Sequence, residues 1–85
     1  MYGLIWTDPA LDELADIWVA CSPAERGEVE TAVLRLDPAL MRDPLAVGES
    51  RSGSRRVVFE TPLVVWFTVS DADQVVRVTH VTKPR

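Results

Sequence analysis

Apolar spacing changes period part-way along this chain, and that change limits the fold more than anything else in the sequence. Before Gly48, apolar residues recur three and four positions apart, as on one side of a helix; after Ser54 the chain becomes rich in Val, Phe, Trp and Thr. A helical half is therefore followed by a sheet-forming half.

Local signals divide the halves into elements. Tyr2 to Trp6 is a short apolar run, and Thr7-Asp8-Pro9 reads as a helix start, with Thr7 as the capping side chain and acid and proline in the first turn. The helix that follows carries Leu11, Leu14, Trp18 and Cys21 on one stripe, widened by Ala15 and Ile17, and is expected to end near Cys21. Ser22-Pro23-Ala24-Glu25 is a capping box, so a second helix starts at once and the two make an antiparallel hairpin. Val29, Ala32, Val33, Leu36 and Leu40 form its apolar face. Pro38 interrupts the pattern; a kinked helix is favoured over a new helix capped by Asp37.

In the second half, Arg55 to Glu60, Leu63 to Val69 and Val75 to Val81 read as strands, separated by Thr61-Pro62 and Ser70-Asp71-Ala72-Asp73. Connections this short predict an antiparallel meander. The order is thus β-α-α-β-β-β: an α+β domain of 85 residues with the helical hairpin on one face of an antiparallel sheet and the other face partly open. Strict alternation would leave His80 in the apolar row of the last strand. A bulge near Thr79 would restore Val81 to the core side and turn His80 outward, beside Arg77.

Composition excludes several classes. Hydrophobic content of 47% argues against disorder, and no apolar run is longer than Leu63 to Phe67, which is too short to cross a bilayer. No signal peptide is visible, so a soluble cytoplasmic protein with no membrane partner is expected. Cys21 and His80 are the only cysteine and histidine, and neither has a partner at metal-ligand spacing. No metal and no cofactor are expected. Cys21 reads as a small, semi-buried apolar residue.

Charge is the functional clue. Residues 1–49 hold ten acids and three bases, whereas residues 50–85 hold three acids and six bases. The Gly48 to Arg56 segment sets Arg51, Arg55 and Arg56 among glycines and serines, the residue types that grip a phosphate. A sequence pI near 4.8 confines any nucleic-acid contact to such a local patch.

The chain resembles the RelE/ParE toxin superfamily of bacterial type II toxin-antitoxin systems. The resemblance covers nearly all of it: a strand ending Ile5-Trp6-Thr7, Ala10-Leu11-Asp12-Glu13-Leu14-Ala15 in the first helix, Arg42-Asp43-Pro44-Leu45, Gly48-Glu49-Ser50-Arg51, Ser54-Arg55-Arg56, Pro62 to Phe67, and Val75 to Val81. It implies a toxin neutralised by a cognate antitoxin. It also implies one of two activities: ribosome-dependent mRNA endoribonuclease, as in members similar to RelE, or inhibition of DNA gyrase, as in members similar to ParE. A toxin-like binding module without chemistry is the third alternative.

For the ribonuclease, the resemblance implies Arg56, Arg77 and His80 as catalytic residues, His80 as the acid, and Arg51, Arg55, Lys83 and Arg85 as RNA-binding residues. Glu49 stands in for the acidic base of some members. Pro62 occupies the place where a catalytic arginine usually precedes the third strand. Each residue also has a purely structural reading. Arg55 and Arg56 can serve as edge charges, Arg77 as a cross-sheet partner of Glu60, Glu49 as an arginine's ion-pair partner, and His80 as a partly buried histidine. Trp6, Trp18 and Trp66 read as packing residues.

Overall fold

Two helices and five strands follow one another in the order the sequence predicts, with one short strand added. A computed structural model describes residues 1–84. Strand β1 (Gly3–Trp6) leads into helices α1 (Asp8–Ala20) and α2 (Pro23–Arg42), then a short 3-10 turn (Pro44–Ala46) and strands β2 (Glu49–Ser50), β3 (Arg55–Glu60), β4 (Leu63–Ser70) and β5 (Val75–Thr82). Their order across the sheet is β1-β5-β4-β3-β2. β2 to β5 are antiparallel neighbours, as the short connections require, while β1 lies parallel to β5. The antiparallel sheet of the sequence reading is therefore mixed, because the helical hairpin returns the chain to the far edge before the meander begins.

The two helix starts differ in kind. Ser22 makes the full capping box: its hydroxyl accepts from Glu25 N–H, and the Glu25 carboxylate accepts from Ser22 N–H. Thr7 occupies the cap position of α1 but makes no capping bond; its hydroxyl donates instead to the Val78 carbonyl. That bond ties the start of α1 to β5. Helix α2 passes through Pro38 without a break.

Val29, Ala32, Leu36 and Leu40 of α2 are buried against Leu63, Val65, Phe67, Val76, Val78 and Val81. The stripe on α1 is rotated from its expected position. Ala10 and Cys21 are buried, with Leu14 and Ile17 packed beside them, whereas Leu11 and Trp18 are 47% and 38% exposed. A side chain as small as Ala10 lets the helix approach the sheet closely, and the larger residues of the helix are left outside. Of the other tryptophans, Trp6 packs against the core and donates from Nε1 to Asp37 Oδ1 at 3.1 Å. Trp66 lies in the row opposite to the core row and does not pack there.

The segment from Gly48 to Ser54 is a tight hairpin rather than an open loop. Glu49 pairs with Val57 and Ser50 with Arg56, and Arg51 N–H donates to the Arg55 carbonyl across the turn. Gly48 has φ of 67°, and a Cβ placed there would stand 2.2 Å from the Val57 carbonyl oxygen. Both the conformation and the close backbone approach call for glycine. Gly48→Ala is expected to destabilise the protein by about 1–3 kcal/mol, measured as a lower midpoint in urea denaturation.

Candidate nucleic-acid interface

Register decides which of the candidate side chains share a face. Between Trp66 and Phe67 the β4–β5 pairing shifts, so that Trp66 faces His80 while Phe67 faces Val78. Thr79 is the extra residue, a bulge at the position where alternation had demanded one. Val76, Val78 and Val81 consequently all lie in the core, and His80 shares the outer side with Trp66.

The face away from the helices is organised in rows. Arg55, Thr68, Arg77 and Ile5 form one row across β3, β4, β5 and β1. The neighbouring row is Glu49, Val57, Trp66 and His80. The Arg55 guanidinium stacks over Trp66, with Cζ 4.8 Å from the ring centroid. Neither Arg55 nor Arg77 has an ion-pair partner among the described residues. Glu60 is remote from Arg77: it pairs with Leu63 at one end of β4, while Arg77 pairs with Thr68 towards the other.

Arg56 is placed differently. It shares a row with Phe67 and Ser50, opposite to that of its neighbour Arg55. Its Nε and Nη2 donate to the Val47 carbonyl, and Nη2 also reaches those of Leu45 and Gly48, at 3.1 to 3.3 Å. One guanidinium thus gathers the carbonyls of the segment joining α2 to β2.

The remaining basic candidates are engaged elsewhere. Arg51 donates to Glu49 Oε2 at 3.0 Å, so Glu49 takes the ion-pair role as well as its place in the row. Lys83 donates to Glu25 Oε2 at 3.0 Å and fastens the end of β5 to the start of α2. The bond to Glu25 raises the Lys83 ammonium pKa. The bond from Ser22 N–H, reinforced by Lys83, lowers the Glu25 carboxyl from about 4.5 to about 2. Arg85 lies outside the described residues.

One participant was invisible from the sequence. Glu13, on α1, accepts from Val81 N–H through Oε1 at 3.1 Å and contacts His80 Nδ1 through Oε2. Its distance from His80 along the chain gave no local pattern to find. Among the described residues no cluster of side chains is suited to a metal ion, and no helix is long and apolar enough to cross a membrane.

Solved structures share this architecture over nearly the whole of this chain. The toxin-antitoxin complex RelBE2 of Mycobacterium tuberculosis contains a chain that superposes with a TM-score of 0.76 at 19% identity, over 98% of each chain. A chain of the chromosomal ParDE system of P. aeruginosa gives 0.76 at 19%, over 100% of this chain and 98% of its own. The chain has the RelE/ParE toxin fold. A chain of the E. coli RelBE complex also matches, at a TM-score of 0.64 and 18% identity over 100% and 99% of the two chains. No protein-family model matches the sequence, and neither does any curated protein.

Two predictions concern how this RelE/ParE fold holds its basic residues. Arg56→Ala leaves three loop carbonyls short of a donor and is expected to cost about 1–3 kcal/mol in chemical denaturation, whereas Arg77→Ala is expected to leave stability unchanged. The second concerns acid. A carboxylate whose pKa is lowered by folding stabilises the protein above its unfolded value, and that contribution disappears as pH falls through the folded value. Stability supplied by Glu25 is therefore complete above about 4.5 and lost on acidification towards about 2. In denaturation series across that window, Glu25→Gln is expected to flatten this part of the pH dependence.

Proposed function

We propose that the protein is the toxin of a type II toxin-antitoxin pair and that it cleaves mRNA on the open face of its sheet, with the ribosome presenting the substrate. The observation that carries this reading is the pair of guanidiniums, Arg55 and Arg77, free of carboxylate partners among the described residues and flanking Thr68, with Trp66 and His80 in the next row. Two strand spacings separate their Cα atoms, roughly 10 Å. Side chains of arginine length can converge on one phosphate across such a gap.

Cleavage then needs proton transfers and charge stabilisation. The 2'-hydroxyl oxygen bonds to phosphorus, the bond to the 5'-oxygen breaks, and a cyclic phosphate forms. His80 gives a proton to the departing 5'-oxygen, and Arg55 and Arg77 stabilise the charge on the phosphoryl oxygens. Glu49, at the other end of the His80 row, takes the 2'-hydroxyl proton. Trp66, between them, offers a flat surface to a base. Arg56 supports the site by holding the loop behind β3, and Arg51 and Lys83 serve as internal ion-pair partners before any contact with RNA. The chemistry calls for no cofactor.

An antitoxin partner is supported by the chains of the same fold, which come from RelBE and ParDE toxin-antitoxin systems. In this reading induction of the gene arrests growth, and primer extension on translated messages reveals new 5' ends. Arg77→Ala and His80→Ala are each expected to lower the cleavage rate about 100-fold or more with the fold intact by circular dichroism. Arrest without cleavage, accompanied by loss of supercoiling in purified gyrase, would assign the toxin to that target instead. Absence of arrest, cleavage and gyrase inhibition would leave a binding module.

A further inference from the structure

β1 stops beside Val78, but β5 continues to Thr82. On that side the last residues of β5 have no strand neighbour among the described residues, and the outward Val81 N–H lacks a sheet partner. The Glu13 carboxylate fills this place. Oε1 accepts from Val81 N–H, and Oε2 meets His80 Nδ1. Helix α1 is held beside the strand by fully buried Ala10 and by the Thr7 to Val78 bond, so Glu13 is carried on a fixed support.

We propose that Glu13 is a positioning residue for His80, fixing which ring nitrogen faces the substrate. A carboxylate only accepts hydrogen bonds, so the nitrogen facing it carries a proton. Nδ1 is therefore the N–H, and Nε2 is the nitrogen left available on a side chain that is 45% exposed. Trp66 lies opposite on β4 and Arg77 in the adjacent row, and among the described residues no carboxylate other than Glu13 pairs with the ring. The arrangement suits an acid. When the imidazolium gives up its Nε2 proton, the neutral ring that remains is the Nδ1–H tautomer that Glu13 already holds. The Val81 N–H bond keeps the carboxylate from following the ring, so ring orientation and tautomer are set together.

The catalytic consequence rests on the proposed ribonuclease reading, but the tautomer does not. His80 is the chain's only histidine, so its two ring nitrogens give an unambiguous pair of signals in long-range proton-nitrogen correlation spectra of the labelled protein. In the neutral form the parent protein is expected to be protonated at Nδ1. Glu13→Gln keeps a carbonyl for Val81 N–H and turns an amide donor towards Nδ1, so the ring is expected to switch to the Nε2–H form. Glu13→Ala is expected to move it the same way, towards the form that unrestrained histidine favours. An Nε2–H ring in the parent, or the same tautomer in all three proteins, would overturn the proposal. In RNA cleavage, Glu13→Gln is expected to lower kcat about tenfold or more at unchanged KM, with no further loss when combined with His80→Ala; an additive loss would also count against positioning. If the parent protein cleaves no RNA, the ribonuclease reading fails while the spectra still decide whether Glu13 sets the ring.

Discussion

Everything on the open face depends on the burial of one side of the sheet under α2. Leu36, Leu40, Val65, Phe67, Val76 and Val78 are all essentially inaccessible to water, and truncating a residue such as Phe67 in a core like this costs about 3–5 kcal/mol. That packing sets the side-chain parity of β4 and β5. Once Phe67 and Val78 point inward, Trp66, Thr68 and Arg77 must point outward. The candidate site is thus assembled by the core, residue by residue, although no core residue belongs to it.

Segregation of charge follows from the same layering. The acids of the first half are carried mainly by the helices, and Arg55 of β3 and Arg77 of β5, without ion-pair partners among the described residues, lie on the sheet face the helices do not cover. A chain of net charge -4 can in this way present a locally cationic surface. Where acids and bases do meet, they hold each other: Lys83 with Glu25 joins the end of β5 to α2, and Arg51 with Glu49 is a local pair at the β2 side of the hairpin. Such exposed pairs contribute modestly to stability, but they determine which cations remain free to meet an anion.

What the sequence disclosed was local. The capping box at Ser22 and the α2 stripe were legible because their partners lie within one or two turns, and the bulge was legible because His80 conflicted with the alternation around it. The parallel pairing of β1 with β5 was not, since Gly3 and Val75 meet only after the whole chain has folded. The face of α1 was misjudged because residue size suggested that Leu11 and Trp18 were core, whereas small Ala10 is what the sheet accepts. Arg55 and Arg56 look equivalent as neighbours. Their pairing with Thr68 and Phe67 separates them, and that register was hidden in the sequence. Glu13 was hidden for the same reason, its contact being one between distant segments.

The extra residue at Thr79 has a consequence for how such chains change over time. It works as a parity switch: the strand on either side keeps its own alternation, but the two are out of phase by one position. Closing the bulge without losing its residue would exchange the inward and outward sets beyond it and carry the His80 imidazole from the open surface to the core layer, whereas losing Thr79 together with the bulge would leave both sets where they are. Chains of this architecture can therefore place the same side chain on the same face from sequence positions that differ by one, and a gapless comparison of their last strands would miss the correspondence.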